Sequence, residues 1–358
     1  MLPTIRSKQS GGAVRGLRRM VGEYPGGKAQ VRELYASVDL GGTKIAAAIA
    51  DSNGEILAED RIATNSHEGP SGVLPRIAGL VADLSSRLGA QPVAVGMGVP
   101  GLVDVRTGVT RFLPNLPSQW RGVPVGETLS ATLGCSVFLL NDARMATLGE
   151  FTFGRGRSAD TMIFLTIGTG IGGGIVVDGA LRLGPLGAAG ELGHQTIQRD
   201  GPLCGCGNRG CLEALASGPA LVGEGVRLLL SGLAPTLFEM VSGNVAAVTP
   251  KEMGAAARAG DTAVREAITR IATWLGIGIA NMVTALHPEM VVLGGSVAAL
   301  DDLLLEPVRE TVKERVRMFP VEDLCIERSM LEDKAGLLGG IALAAIRSND
   351  AAFVGQAS

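Results

Sequence analysis

Two segments of the chain share one pattern, in which an apolar strand, a glycine-rich turn and a second apolar strand follow one another. The first segment is YASVDLGGTKIAAAIA at 35–50, and the second is TMIFLTIGTGIGGGIVVDGALRL at 161–183. A turn signal with Asp and Gly then indicates in each case that the chain returns as a third strand. The segments begin roughly 125 residues apart, which predicts a duplicated unit of three strands, a helix and a further strand.

The rest of the chain alternates between helical and extended patterns. Helices are predicted at 70–90, 123–134, 143–151, 261–286, 301–317 and 335–347, and buried strands at 92–99, 135–140 and 290–293. Such alternation is typical of an α/β protein, in which helices cover a largely parallel sheet. At 358 residues, the chain is long enough for two domains or for two lobes.

Composition argues against several classes of partner. With a net charge of −3 and 12 aromatic residues, the chain lacks both the charge and the stacking surface that nucleic-acid binding requires. No apolar run reaches the ~18 residues of a membrane-spanning helix. Cys135 and Cys325 stand apart from the other three cysteines, and we expect them to be free thiols of a cytoplasmic protein.

Residues 1–34 differ from the rest of the chain. Seven basic and two acidic residues give this segment a net charge of +5, and glycines interrupt it. Three interpretations compete: a disordered tail or misplaced start, an arginine-rich targeting segment, and a fragment of a DNA-binding arm. A helix-turn-helix needs supporting helices, for which this segment is too short, so we interpret it as a tail.

The segment 191–213, ELGHQTIQRDGPLCGCGNRGCLE, combines one of the three histidines with three of the five cysteines. The four candidate metal ligands are His194, Cys204, Cys206 and Cys211. One imidazole and three thiolates form a four-coordinate Zn²⁺ site without an open position, which is the structural pattern. The alternative is a set of buried free cysteines, which the accompanying histidine and glycines disfavour. A structural zinc does not explain the flanking Glu191 and Glu213.

The matches to G-x-G-x-x-G that begin at Gly96 and Gly168 both follow a predicted strand. A dinucleotide site requires this motif to open a helix, whose N-terminus then binds the pyrophosphate. The residues that follow here, LVDVRTG and IVVDGAL, have strand patterns instead. We therefore reject a Rossmann interpretation, and the sequence contains no G-x-x-x-x-G-K-[ST] motif of a P-loop protein.

The two glycine turns remain as candidate phosphate sites. Asp39–Lys44 (DLGGTK) offers backbone N–H groups, a hydroxyl, an ammonium and a carboxylate, and Gly168–Gly170 (GTG) offers the same without the acid. Exposed N–H groups can bind phosphate oxygens, and a nearby aspartate can hold Mg²⁺ through water. Either turn alone could be a plain hairpin, but their matching positions in a duplicated unit favour phosphate binding.

Asp142 is the candidate general base. It follows the buried strand 135–140, and open α/β sheets bind ligands at the carboxyl ends of their strands. Phosphoryl transfer to a hydroxyl needs one carboxylate to accept the hydroxyl proton. The alternative is that Asp142 is the N-cap of the helix after it.

At this point the motifs resemble a known family. DLGGTK, GMGVPG, LNDA, GTGIGGG, ELGH followed by CGCGNRGCLE, and VVLGGSV are together similar to the ROK family of repressors, open reading frames and sugar kinases, nearest its glucokinase-like members. The resemblance covers residues 36–347. It implies two actin-like, ribonuclease H-like lobes with a ligand cleft between them, namely 35–142 with a C-terminal helix at 335–358, and 143–334, which contains the zinc segment.

The resemblance also implies roles for individual residues. Asp142 resembles the family's catalytic base, and the sugar contacts would be Asn115, Asn141, Asp142, Glu191, His194 and Glu213. The nucleotide contacts would be Asp39, Gly41, Gly42, Thr43, Lys44, Gly168, Thr169, Gly170, Gly294 and Gly295. Two positions depart from the family pattern, since Leu140 stands where Glu is usual and Arg144 where Asn is frequent.

These observations predict ATP-dependent phosphorylation of the 6-hydroxyl of a hexose, with glucose as the first choice, Mg²⁺ accompanying ATP, and a homo-oligomer (dimer or tetramer). N-acetylmannosamine, N-acetylglucosamine or another hexose as acceptor, and polyphosphate as donor, remain alternatives. A sugar-sensing transcriptional regulator of the same family is a different class, and residues 1–34 are too short to supply its DNA-binding domain. A third possibility is a sugar-binding protein without catalytic activity.

Overall fold

The computed structural model describes residues 32–349, so most of the predicted tail 1–34 and residues 350–358 lie outside the described part. The strands are β1 (Leu34–Leu40), β2 (Lys44–Asp51), β3 (Ile56–Ala63), β4 (Ala94–Val99), β5 (Leu102–Asp104), β6 (Val109–Phe112), β7 (Ser136–Asn141), β8 (Met162–Ile167), β9 (Ile171–Val177), β10 (Ala180–Leu181), β11 (Met290–Gly294) and β12 (Cys325–Arg328). The α-helices are α1 (Gly69–Leu88), α2 (Val125–Leu133), α3 (Asp142–Phe153), α4 (Leu212–Ala216), α5 (Gly218–Leu230), α6 (Pro235–Met240), α7 (Pro250–Arg258), α8 (Thr262–Leu286), α9 (Asp302–Arg315) and α10 (Ala335–Ser348).

The strands form two five-stranded sheets of the same topology, which confirms the duplicated pattern. The first sheet has the order β3-β2-β1-β4-β7, and the second has the order β10-β9-β8-β11-β12. In each sheet the first three strands are antiparallel neighbours, and the last two run parallel to the opening strand. The remaining two strands, β5 and β6, form a separate hairpin.

The predicted helices and buried strands are present, with ends displaced by a few residues. Helices α4 to α7 and strand β12 were not predicted. Strand β1 begins one residue before the predicted start of the first lobe, and the guanidinium of Arg32 already binds the Asp51 carboxylate at 2.6 Å. Within residues 32–349, no helix is long and apolar enough to cross a membrane.

Helices α3 and α10 pack against each other between the two sheets. Apolar side chains of α10, including Ile341, lie against β1 and β4 of the first sheet. Those of α3, including Ala146, lie against β8 and β9 of the second sheet. The remaining helices cover the outer faces, with α1 and α2 on the first sheet and α4 to α9 on the second. The helix that begins at Asp142 is therefore held from both halves of the molecule.

Glycines allow the close approach of α3 and α10. A Cβ at Gly339 would overlap the carbonyl oxygen of Met145, and a Cβ at Gly149 would lie 2.9 Å from the backbone nitrogen of Gly339. On the other side of α10, a Cβ at Gly96 in β4 would overlap the carbonyl oxygen of Gly340. Backbone atoms cannot move away as a flexible side chain can, so these positions set the spacing of the central layer.

We expect Gly339→Ala to lower the free energy of unfolding by about 3 kcal/mol, because α3 and α10 must separate to admit the new methyl group. Gly79→Ala is the matched control, since Gly79 lies in an exposed part of α1 and its Cβ would meet no atom within 4 Å. There the higher helix propensity of alanine should stabilise the fold by about 0.5–1 kcal/mol. Urea unfolding of both variants measures the difference, and equal stabilities would contradict the proposed role of the glycine contact.

Candidate active site

The carboxyl ends of the parallel strands bring three predicted site residues to one edge of the first sheet. Asp39, near the end of β1, pairs in register with Gly98 of β4. Asn141, at the end of β7, pairs with Val99 of β4, and Asp142 follows it. Ligands of open α/β sheets bind at such an edge. The fold therefore positions Asp39 and Asp142 at the same edge of the sheet, at the ends of the two strands that flank β4.

Asn141, and not Asp142, caps helix α3. The Asn141 side-chain oxygen accepts hydrogen bonds from the backbone nitrogens of Ala143 (3.1 Å) and Arg144 (3.3 Å). The alternative that Asp142 is the N-cap is therefore wrong, because Asp142 is the first residue of the helix itself. Its carboxylate accepts one hydrogen bond, from the backbone nitrogen of Ala143 at 2.8 Å, and has acceptor capacity left for a ligand.

The Asp142 carboxyl group lies in an environment that favours its neutral form. Burial raises the pKa of Asp142 to about 6, and the charges of Asp39 and Glu191 act in the same direction. The backbone N–H of Ala143 and the positive charge of Arg144 act in the opposite direction. A carboxylate with this pKa is ionised at neutral pH and accepts a proton more readily than an ordinary aspartate.

Burial also raises the pKa of Asp39, and the charge of Arg61 on β3 opposes this shift. Arg61 was not singled out from the sequence, because alternation in β3 marks it as an exposed position without a motif. Within residues 32–349, the Asp39 side chain has no hydrogen bond or ion pair. Its carboxylate is thus available to a hydrated cation.

The two departures from the family pattern have different environments. Leu140 is buried in an apolar cluster with Met145 and Leu148, between α3 and α10. Arg144 is buried too, and its guanidinium forms an ion pair of 2.8 Å with the Glu191 carboxylate. The first substitution therefore changes packing, whereas the second changes the charge balance of the site.

Glu191 and His194 connect this edge with the cysteine segment. The second carboxylate oxygen of Glu191 lies 3.8 Å from Nε2 of His194. The other ring nitrogen, Nδ1, lies 3.7 Å from Sγ of Cys204. The two nitrogens of the imidazole thus face different partners, one toward Glu191 and one toward the sulfurs.

The four predicted metal ligands converge. The ligand atoms of His194, Cys204, Cys206 and Cys211 all lie within 4.8 Å of one another. The Sγ atoms of Cys206 and Cys211 are 3.7 Å apart, close to the roughly 3.8 Å edge of a tetrahedron with 2.3 Å metal–sulfur bonds. Burial raises the pKa of Cys211 to about 12, so a nearby cation would be needed to make it a thiolate. These four residues could hold a thiolate-binding divalent metal.

The tight turn of this segment depends on glycine, as the sequence predicts. Gly207 and Gly210 adopt φ angles of +92° and +66°, in the left-handed region that side chains other than glycine rarely adopt. An isolated bridge between Thr196 and Cys211 closes the loop. The backbone thereby returns Cys211 to the vicinity of His194.

Glu213 joins the cysteine cluster to the second glycine turn. One of its carboxylate oxygens accepts a hydrogen bond of 2.9 Å from the backbone nitrogen of Ile171, directly after Gly168–Gly170. The other accepts a hydrogen bond of 3.6 Å from Sγ of Cys204. Helix α5 also begins at this turn, because the nitrogen of Gly218 donates to the carbonyl oxygen of Gly168 at 2.8 Å. Glu213 therefore contacts both the glycine turn 168–170 and the cysteine cluster.

Gly294 and Gly295 lie beside the same turn. Gly294 pairs in register with Thr166 of β8, and the nitrogen of Val297 donates to the carbonyl oxygen of Ile167 at 3.0 Å. The predicted nucleotide residues of the second half are thus neighbours at the carboxyl edge of the second sheet.

The first glycine turn has a separate set of neighbours. Thr64 donates its hydroxyl to the carbonyl oxygen of Gly41 at 2.7 Å, and a Cβ at Gly42 would lie 3.1 Å from the carbonyl oxygen of Asn115. Lys44, Thr43 and Asn115 are exposed. Within residues 32–349, no hydrogen bond or ion pair joins Asn115 to Asp142 or Glu191. The structure therefore places Asn115 beside the DLGGTK turn, without a hydrogen bond to either of these two acids.

Two sheets of one topology, a glycine turn in each and half-buried carboxylates at the edge of the first are the features of an actin-like ATPase. The model of the ROK family matches residues 35–347. The chain belongs to the ROK family. This match confirms the resemblance to the family that the sequence motifs indicated, over almost all of the residues that the structure describes.

Relatives within this family include enzymes and regulators. The chain is 36% identical to a glucokinase of Streptomyces coelicolor, over 87% of this chain and 97% of that protein. It is 33% identical to a xylose repressor of Caldicellulosiruptor bescii, over 86% of this chain and 76% of the repressor. Among solved structures, a ROK family glucokinase from Streptomyces griseus in complex with glucose and AMPPNP matches with a TM-score of 0.76 and 35% identity, over 87% of this chain and 99% of that chain.

Proposed function

We propose that this protein is a glucokinase, which transfers the γ-phosphoryl group of ATP to the 6-hydroxyl of glucose. The broader statement, that the chain is a sugar kinase, rests on its similarity to glucokinases over most of its length. The finer proposal is carried by one observation, namely the half-buried Asp142 carboxylate at the carboxyl edge of the first sheet, where the charges of Glu191 and Asp39 act on it. Phosphoryl transfer to an alcohol needs a carboxylate in such a position.

In this proposal Asp142 is the general base. Its carboxylate accepts the proton of the 6-hydroxyl as the hydroxyl oxygen attacks the γ-phosphorus, and the bond between that phosphorus and the β,γ-bridging oxygen breaks to release ADP. Asn141 supports the role, because it caps α3 and leaves Asp142 oriented at the helix start. Its side-chain NH₂ donates one hydrogen bond, to the carbonyl oxygen of Gly101 at 3.2 Å, and retains a second N–H for a sugar hydroxyl.

The sugar contacts proposed are the carboxylates and imidazole around Asp142. Glu191 and His194 lie next to each other, and Sγ of Cys204 lies 3.7 Å from Nδ1 of His194 and 3.6 Å from a carboxylate oxygen of Glu213. Carboxylates and amides discriminate between sugars because a wrong epimer leaves a buried polar group without a partner. Asn115, next to the first glycine turn, is the remaining proposed sugar contact.

The nucleotide is proposed to lie between the two glycine turns, 41–44 and 168–170, with Gly294 and Gly295 beside the second turn. Glycine turns expose backbone N–H groups to phosphate oxygens. Asp39 would hold the hydrated Mg²⁺ that accompanies ATP, since its carboxylate has no ion-pair partner within the described residues. When bound, this cation neutralises charge on the phosphates.

We propose that the cluster of one imidazole and three thiols binds a structural Zn²⁺. The sulfur spacing supports this, as does the complete set of four protein ligands, which leaves no position for a substrate. Binding through Nδ1 would fix the His194 ring so that Nε2 stays directed to Glu191 and the sugar. In this proposal the metal orders the acceptor pocket and takes no part in the transfer.

A sugar-responsive regulator is the second candidate, favoured by the 33% identity to a xylose repressor. A regulator of this kind needs to bind a sugar but not to turn over ATP. Catalytic turnover therefore separates the two functions.

We expect ATP-dependent ADP release with glucose at a kcat/KM at least about tenfold above that with mannose, N-acetylmannosamine or N-acetylglucosamine. A coupled assay across these sugars, with ATP or polyphosphate as donor, measures this. 6-Deoxyglucose is the matched control, since it should inhibit competitively and yield no phosphorylated product. A better amino-sugar substrate would overturn the choice of glucose, and no turnover with any sugar would favour the regulator.

We expect kcat/KM for glucose to fall about tenfold per pH unit below pH 6, because the base must be ionised and protonation removes it. Asp142→Asn should lower kcat by about 10²–10⁴-fold and remove this acidic limb. Asp60→Asn is the control. Asp60 lies on the outer strand β3 and pairs with Arg87 of α1, so this change should leave the pH profile unchanged. Full turnover by folded Asp142→Asn would show that Asp142 is not the base.

We expect the purified protein to contain one equivalent of zinc, and Cys206→Ser to lose it and raise the KM for glucose by roughly tenfold. Elemental analysis and steady-state kinetics measure the two effects. Cys325→Ser, at an exposed cysteine outside the cluster, should keep both the metal and the KM. Retention of zinc by Cys206→Ser would contradict the ligand set, and loss of zinc without a change in KM would contradict the coupling to the sugar.

A further inference from the structure

Arg144 is a buried cation that pairs with Glu191 and whose charge also acts on Asp142. Its side chain is 2% exposed, and its guanidinium has four hydrogen-bond acceptors. Nη1 donates to the Asn141 side-chain oxygen at 2.8 Å, and Nε donates to the carbonyl oxygen of Ala189 at 2.9 Å. Nη2 donates to the carbonyl oxygen of Ala188 at 2.9 Å and to Oε1 of Glu191 at 2.8 Å.

These contacts hold the guanidinium in one orientation. The planar fork of arginine has fixed donor directions, and here they are used by a helix cap, two backbone carbonyls and a carboxylate. Burying a cation is costly unless it is paired and hydrogen-bonded. Glu191 provides the pairing charge, so Arg144 and Glu191 depend on each other.

The ion pair constrains an otherwise mobile acid. The Glu191 side chain is 44% exposed, and an exposed glutamate ordinarily samples several rotamers. Here the buried guanidinium binds Oε1, while Oε2 is directed to His194 at 3.8 Å. One oxygen is therefore fixed by the protein, and the other faces the side of the site on which His194 presents Nε2.

Arg144 also connects the two parts of the site that must be aligned. It lies on the first turn of α3, two residues after Asp142, and it binds the cap residue of that helix. Through the carbonyls at 188 and 189 it binds the loop that carries Glu191. A sugar bound by Glu191 would thus be aligned with helix α3, which carries the proposed base.

We infer that Arg144 is a positioning residue for the sugar, which aligns Glu191 with the Asp142 end of helix α3. This inference rests on the proposed sugar kinase function. It assigns Arg144 no direct contact with sugar or ATP. Its removal should therefore weaken sugar binding through Glu191, whereas nucleotide binding should be unaffected.

The test is a double-mutant cycle of Arg144→Lys and Glu191→Ala, measured with the hexose that the wild type phosphorylates best. Lysine keeps the charge but cannot reach four acceptors with a planar fork. We expect Arg144→Lys to raise the sugar KM about tenfold while kcat changes less than about threefold and the ATP KM stays constant. In the Glu191→Ala background the same change should raise the sugar KM less than about twofold, because the group through which Arg144 acts is gone.

Arg309→Lys is the matched control. Arg309 likewise donates to a backbone carbonyl, that of Ile326 at 2.7 Å, and to a carboxylate, that of Glu306 at 2.6 Å, but it lies on α9 away from the site. Its substitution should leave the sugar KM unchanged. If Arg144→Lys does not fold, Arg144→Gln, which keeps a side-chain donor without the charge, replaces it in the same cycle.

The outcomes separate the inference from the proposed function. Turnover by the wild type with equal effects of the Arg144 substitution in both backgrounds would overturn the positioning role and leave the kinase intact. A change confined to kcat or to the ATP KM would overturn it as well. No turnover with any hexose would overturn the proposed function, and the inference with it.

Discussion

The close packing of α3 (142–153) against α10 (335–348) is the constraint on which the site depends. Glycines at 149 and 339 bring the two backbones together, and α3 lies on the second sheet while α10 lies on the first. Because Asp142 is the first residue of α3, its position relative to both sheets follows from this packing. A phosphoryl acceptor and a donor held on different halves would need such a rigid common element.

Charge balance is the second constraint. The charges of Asp39 and Glu191 raise the pKa of Asp142 near the edge of the first sheet, and the guanidinium of Arg144 acts in the opposite direction. From Glu191 a series of contacts continues through His194 and Cys204 to Glu213 and the second glycine turn. The proposed acceptor site and the proposed phosphate site are therefore linked by hydrogen-bonding groups, and the cysteine cluster lies between them.

Much of the fold could be predicted from local pattern. Alternation, glycine turns and helical spacing indicated the duplicated unit, because strands and helices bury apolar residues with different periods. Helices α4 to α7 were not predicted, and the apolar core that they share with α8 stabilises them. The choice between Asn141 and Asp142 as the helix cap was also beyond the sequence, because both residue types cap helices well and adjacent positions compete.

The sequence by itself identified the four residues of the cysteine cluster, the two glycine turns and membership of the family, because each of these depends on residue type and spacing along the chain. The tertiary structure alone decided the environment of each group. Burial and neighbouring charges raise the pKa of Asp142, and the fold brings Arg144 to Glu191 although 47 positions separate them in the chain. Such effects arise between segments that are distant in sequence, so no local pattern could indicate them.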